Sequence, residues 1–298
     1  MGWTLGGDLD AFAARTDAFL HARAVENSVL LTVADALRRR GADAYGSEPP
    51  VFGYWRPDGG GAVAAAVLQT PPHPPLLSAA PPQAAAALPA AWADALAAGL
   101  VPVPAGVRGE AAAARAFADG WARRTGAAVR VGRNTRAFRL AALTPREPAP
   151  PGAARVAGPA DRELLLRWHR EFATDIGGPL PGGDRAVDDA LAHGGRTLWE
   201  LPDGRPVAMA GVTVPVAGAV RVVAVYTPRE HRGRGYAGAA VTAVSRAALD
   251  AGADEVLLFA DLANPVSTGL YRRLGYVPVR DAVELAFVPA GSGAAAGA

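Results

Sequence analysis

Residues 221–238 read R-V-V-A-V-Y-T-P-R-E-H-R-G-R-G-Y-A-G, and few folds accommodate such a stretch. Val222, Val223, Ala224, Val225 and Tyr226 form a short β-branched and aromatic run bounded by Pro228, which suits a buried central strand. Arg232 to Ala237 then supply small residues where backbone must come close to something bulky, and an apolar helical pattern runs from Ala239 to Leu249. The first N–H groups of that helix have no intrahelical partner and carry the positive end of its dipole, so a phosphate suits the position. The same letters also fit an ordinary glycine-rich corner in a chain with 35 glycines.

A second element narrows the choice. Residues 256–276, V-L-L-F-A-D-L-A-N-P-V-S-T-G-L-Y-R-R-L-G-Y, predict a buried strand ending near Asp261, an N-cap at Asn264, and Tyr271 two turns along the following helix. Together the two stretches resemble the GCN5-related N-acetyltransferase (GNAT) family. Its R/Q-x-x-G-x-G/A signature matches Arg232, Gly235 and Ala237; its later strand, asparagine, helix and tyrosine match Asn264, Tyr271, Gly275 and Tyr276.

That resemblance implies an α/β (α+β) fold, a mixed and mostly antiparallel sheet flanked by helices, and acetyl-CoA-dependent transfer to a primary amine of a small molecule or peptide. It places the backbone of Val225, Tyr226 and Thr227 along the pantetheine arm, and Asn264 in a bond to that arm. The amides of Gly233, Arg234, Gly235, Tyr236, Ala237 and Gly238 would hold the pyrophosphate, with charge from Arg232 or Arg234. Tyr271 is the expected proton donor to the departing thiolate, since a phenol of pKa about 10 stays protonated at neutral pH and a CoA-like thiol has a pKa near about 8.5. A core tyrosine beside Leu270 and Leu274 is the structural alternative. The expected reaction is direct attack by the bound acceptor, without an acyl-enzyme. For the base the pattern is silent: Phe259 stands where some members carry glutamate, leaving Glu171, Asp175, Asp261 or a water relay. O-acylation, decarboxylation of a malonyl group, or a non-catalytic CoA-binding module are the competing functions.

Composition removes other chemistries. The chain has no cysteine, which excludes disulfides, thiolate metal sites and a cysteine nucleophile, and its five histidines show no metal-ligand spacing. All 30 basic residues are arginine and the formal net charge is only +2, without a long like-charge block, so no nucleic-acid partner is expected. Every apolar run is broken by Pro, Gly or a charge before membrane-spanning length, and no basic region followed by an apolar core opens the chain. The expectation is a cytoplasmic enzyme without a metal; the oligomeric state is left open.

The length of 298 residues allows two domains, and residues 144–159, dense in Pro and Gly, predict a linker. The expected organisation is a degenerate acetyltransferase-like domain over residues 1–145, a linker over 146–153, a catalytic domain over 154–289 and a disordered tail over 290–298. The duplication rests on short echoes. Trp55 before a turn at Asp58-Gly59 and an apolar strand matches Trp199 before Asp203-Gly204 and another; Ala122 to Gly126 matches Tyr271 to Gly275. Where the second half has Arg232 to Gly238 the first has Ser78-Ala79-Ala80-Pro81-Pro82, whose prolines lack N–H groups, so only the second half is expected to bind a cofactor. The first half is expected to pack against it as a pseudo-dimer and close one side of the acceptor pocket. In between, Asp8 predicts a helix to His21, Val25 to Arg40 a second, Leu100 to Val103 a short strand, and Asp161 to Ala173 an amphipathic helix.

Overall fold

The computed structural model describes residues 2–57, 60–178 and 183–289. The turn expected at Asp58-Gly59 and the tail expected over 290–298 lie outside them. The chain forms two compact units: one runs through Arg136 and takes up the chain again from Arg280, and the other is Ala137–Val279.

The first unit contains β1 (Gly2–Gly6), α1 (Leu9–His21), α2 (Ser28–Arg40), β2 (Val51–Arg56), β3 (Ala65–Gln69), β4 (Leu76–Leu77), α3 (Pro82–Ala97), β5 (Gly106–Glu110) and α4 (Ala111–Thr125), and the start of β6 (Ala128–Leu140). The second, after the end of β6, contains β7 (Ala153–Val156), α5 (Arg162–Asp175), α6 (Arg185–Ala192), β8 (Arg196–Glu200), β9 (Pro206–Val212), β10 (Ala219–Tyr226), α7 (Tyr236–Asp250), β11 (Glu255–Asp261) and α8 (Pro265–Arg273), then the start of β12 (Tyr276–Val288). The two series are the same: strand, two helices, three strands, helix, strand, helix, strand. Their pairings agree as well. β1 to β4 are successively antiparallel and β4–β5 is parallel, as β7 to β10 are antiparallel and β10–β11 parallel. The duplication suggested by a few turn residues is therefore carried by the whole topology.

Local chemistry accounts for many of the boundaries. Asp8 accepts from the N–H of Ala11 at 2.9 Å and starts α1, and Glu110 accepts from Ala112 and Ala113 to start α4. The strand expected over Leu100 to Val103 does not form. Leu100 and Val103 are 58% and 68% exposed in a turn before β5, because the α3–β5 connection has no strand beside it to cover them.

The division of contacts differs from the one expected at residues 146–153. Proline and glycine mark where regular structure pauses, but the strands decide membership. After Arg280, β12 runs antiparallel to β5 from Ala282 to Ala286 and sends Val283 and Leu285 into the core of Trp92, Val107, Phe117 and Trp121. Residues 141–152 belong to the second unit, where the N–H of Ala141 donates to the carbonyl of Gly275 at 3.0 Å and the Trp199 indole donates to that of Pro151 at 2.9 Å.

The second unit has one core on each face of its sheet. Phe138, Val220, Val222, Val241, Val256, Leu258, Tyr271 and Tyr276 fill one, under α7 and α8. Leu165, Trp168, Leu198, Met209 and Tyr226 fill the other, under α5. Burial of each such side chain stabilises by about 1.5–3 kcal/mol, which holds β10 between the two layers.

Candidate active site

β10 departs from regular structure toward Tyr226, the end expected to meet a cofactor. Its parallel pairing with β11 covers Ala219↔Glu255 to Val222↔Leu258 and then stops, although β10 continues to Tyr226 and β11 to Asp261. On its other side the register with β9 shifts between Val223 and Tyr226, and Ala224 takes a left-handed conformation with φ +50°. A non-glycine residue there costs roughly 1–3 kcal/mol, a strain typical of functional positions. The bulge parts the two strands and leaves the backbone of Val225 to Thr227 outside the β10–β11 ladder.

Below this opening the chain makes a short helical turn at Arg229–His231 and enters α7. Gly233 (φ +79°) and Gly235 (φ +90°) both hold the left-handed region, and Gly235 is the N-cap. The first intrahelical bond runs from Ala239 to the carbonyl of Gly235 at 3.1 Å, so the amides of Tyr236, Ala237 and Gly238 have no acceptor within the helix. This turn has the donor set and dipole that a diphosphate requires.

Of the two arginines expected there, Arg232 is engaged elsewhere. Its Nε donates to the Thr227 carbonyl at 2.9 Å, its Nη2 pairs with Asp175 on α5, and its guanidinium lies 5.9 Å from the centre of the Tyr226 ring. Arg229 approaches the same carboxylate at 3.3 Å. Burial pushes the Asp175 pKa up, but hydrogen bonds from Arg232 and Arg229 outweigh it and the net shift is downward. Arg234 is exposed and makes no ion pair among the described residues.

A third arginine, which the sequence did not single out, stands at the turn. A Cβ added to Gly235 would lie 2.6 Å from Nη1 of Arg146, so this side chain crosses the N-cap of α7, and no carboxylate among the described residues pairs with it. Arg146 escapes a motif reading because it sits in a Pro-rich segment 89 positions away; only the second-unit packing of residues 141–152 brings it there.

Glu171, Asp175 and Tyr226 line a single cavity of about 580 Å³, with Trp168, Arg229 and His231. The Tyr226 hydroxyl donates to Glu171 at 2.8 Å, and its ring packs against Trp168 and Phe172 at 6.1 and 6.2 Å. Burial, then the Glu171 hydrogen bond and charge, push the Tyr226 phenol up to about 12, so it donates throughout the neutral range. Its side chain was not legible as a site feature, because the bulge breaks the alternation from which sidedness is read. Glu171 has no ion pair among the described residues.

Asp261 is not among the residues lining this cavity; its Oδ1 accepts from the N–H of Ala263 at 2.8 Å. Asn264 caps α8, with Oδ1 accepting from Ser267 at 3.0 Å. Tyr271 is 7% exposed, edge-on to Tyr276 with ring centres 6.1 Å apart, and its hydroxyl has no hydrogen-bond partner among the described residues. Burial raises its pKa above the ordinary phenol value, with a further push from Tyr276.

The parted end of β10 and β11 and the glycine-capped start of α7 lie next to each other in the chain. Residues 163–276, less than half of the chain, match the family model described as Acetyltransferase (GNAT) family, which supports an acyltransferase domain in the second half. Solved structures extend the fold likeness to the whole chain. A GCN5-related N-acetyltransferase from Sphaerobacter thermophilus is 19% identical with a TM-score of 0.61, covering 97% of this chain and 96% of that one. A tandem GNAT protein from the clavulanic acid biosynthesis pathway is 12% identical with a TM-score of 0.57, covering 97% and 99%. A GCN5-related N-acetyltransferase from Kribbella flavida is 23% identical with a TM-score of 0.52, covering 77% and 88%. No curated protein matches the sequence. Among the described residues no helix is long and apolar enough to cross a membrane, and no group of three or more metal-ligating side chains is found.

Proposed function

We propose that the second unit transfers an acetyl group from acetyl-CoA to a primary amine by direct attack, and that the first unit binds no cofactor. The observation that carries this reading is the juxtaposition of the parted strands with the glycine-capped start of α7: one leaves strand backbone outside its ladder, the other offers free amides and a dipole. When bound, acetyl-CoA supplies the activated acetyl group. The backbone of Val225, Tyr226 and Thr227 would hold its arm, the amides of Gly233 to Gly238 its pyrophosphate, with charge from Arg146 and Arg234, and Asn264 would add a side-chain bond. Arg232 would act mainly by fixing the turn, since Asp175 and Thr227 already occupy it.

Tyr271 supports the role of acid: burial keeps its proton on at neutral pH, and none of the described residues competes for its hydroxyl. Glu171 is the proposed proton acceptor. It lines the cavity without an arginine on it, whereas two arginines occupy Asp175 and Asp261 is not among the lining residues. In the first unit Pro81 caps α3 and Pro82 opens it, leaving two fewer N–H groups at the equivalent turn. Mass spectrometry of the purified chain with acetyl-CoA and a panel of amines tests the reading. The expected product is an amine heavier by one acetyl group, lost in Tyr271→Phe with acetyl-CoA still bound; a bound acetyl-CoA that acetylates no amine overturns it.

A further inference from the structure

Arg167, Glu171 and Glu230 line the cavity without an ion pair among the described residues, and two of them lie on α5. Arg167 and Glu171 are four residues apart on α5, on one face of the helix, and both line it. An arginine and a glutamate at this spacing commonly pair, yet no ion pair joins these two, and neither has a charged partner among the described residues. The other charges are distributed unevenly. Asp175 is neutralised by Arg229 and Arg232, while Arg205 reaches Asp203 only at 3.4 Å. Glu171 is half-buried beside Tyr226, whereas Arg167, Arg205 and Arg229 are exposed at the rim. The half-buried carboxylate is Glu171, the exposed lining carries Arg167, Arg205 and Arg229 against Glu230, and Leu164, Trp168 and Pro206 supply apolar wall.

We propose that the acceptor is a small zwitterion of amino-acid type, its amine directed inward to Glu171 and its carboxylate held at the rim by Arg167. This rests on the amine-acetyltransferase reading above. A guanidinium matches a carboxylate with two parallel N–H donors, and a carboxylate on the acceptor supplies the counter-charge that α5 withholds. The acceptor ammonium would give one proton to Glu171, and the neutral amine would attack the thioester carbonyl; an N–C bond forms and the C–S bond breaks, Tyr271 protonates the departing sulfur, and the second proton, left on the new amide nitrogen, returns through solvent to the Tyr271 phenolate.

The test compares matched pairs, phenylalanine with phenethylamine and lysine with cadaverine, on the full chain and on Arg167→Gln. The expected result is a lower KM for the acid-bearing member in the wild type. In Arg167→Gln that KM should rise roughly tenfold, the loss of one charge-assisted bond, with kcat and the descarboxy amines unchanged. Acetylation of both members with equal KM, or an equal effect of Arg167→Gln on both, leaves acetyl transfer standing and overturns the zwitterion. Acetylation of neither, with acetyl-CoA bound by calorimetry, overturns the amine reading and this inference together.

Discussion

The hydroxyl of Tyr226 donates to Oε2 of Glu171 at 2.8 Å, joining the bulged end of β10 to the middle of α5. This bond ties the strand that leaves its ladder at Val222 to the carboxylate facing the cavity. It also keeps Glu171 oriented without neutralising it, because a phenol pushed up to about 12 does not surrender its proton near neutral pH.

Glu171→Gln should lower kcat on the order of 10²-fold, at the low end of general acid–base effects, and leave acetyl-CoA affinity nearly unchanged. Tyr226→Phe keeps the ring contacts with Trp168 and Phe172 but loses the donor, costing about 1 kcal/mol of stability and a smaller part of kcat. Steady-state kinetics beside calorimetry checks both. An unaltered kcat in Glu171→Gln, measured where chemistry limits the rate, would assign proton removal to solvent.

Stability of the second unit should fall as pH rises through about 10 to 12. Burial pushes the phenols of Tyr226 and Tyr276 up to about 12 and raises that of Tyr271 as well; in Tyr276 the Ser245 hydrogen bond pulls the other way. An unfolded tyrosine titrates near about 10, so above that pH the unfolded chain gives up protons that the folded chain retains, and folding weakens. Their contribution is complete below pH 10. Tyr276→Phe removes one of the three and should flatten the decline, although it also loses the 2.7 Å bond with Ser245. Urea midpoints taken from pH 8 to pH 12 measure it, and a midpoint independent of pH in wild type would contradict the assignment.

The parts of this fold that depend on local chemistry were legible, and those that depend on partners were not. Asp8, Asn264 and the glycines at 233 and 235 act within a few residues of themselves, so their caps and turns can be read directly. β1 escaped because Gly2, Gly6 and three residues between them carry no periodic pattern; it exists by pairing Trp3 with Trp55. β4 is only Leu76 and Leu77, too short for alternation. Arg146 and the return of β12 to the first unit are long-range facts. Residues 144–152 carry neither helix nor strand, but β7 begins at Ala153 inside the Pro- and Gly-rich stretch, and the contacts divide the chain after Arg136 and before Arg280, which composition does not report.

Arg146→Ala should weaken acetyl-CoA binding roughly tenfold, the effect of one lost charge-assisted contact. Gly235→Ala should weaken it further. A side chain at φ +90° is strained by about 1–3 kcal/mol, and its Cβ would also displace the Arg146 guanidinium 2.6 Å away. Gly233→Ala carries similar strain at φ +79° but meets nothing within 4 Å. A double-mutant cycle by calorimetry separates these effects: Gly235 should couple to Arg146 and Gly233 should not. Equal coupling at both glycines would mean that Arg146 lies beside the turn without serving it. Undiminished affinity in Gly235→Pro would remove the turn itself from the cofactor site.

Val283 and Leu285 are each 2% exposed in the core with Trp92 and Phe117, and they arrive on β12, beyond the last residue of the matched acetyltransferase domain. Leu285→Ala should therefore destabilise the first unit by about 2–5 kcal/mol, as for other buried leucines, although its position belongs to the second half of the sequence. A fragment of residues 1–145 lacks the same strand. It retains β1 to β6 but leaves β5 without Ala282 to Ala286, so its edge is unpaired and its core is open at two positions. Such a fragment should show no cooperative urea transition, and a peptide spanning residues 276–289 should restore one. If the fragment alone unfolded at the same urea midpoint as the first unit of the full chain, β12 would be an accessory to that core and the chain would divide in sequence order after all.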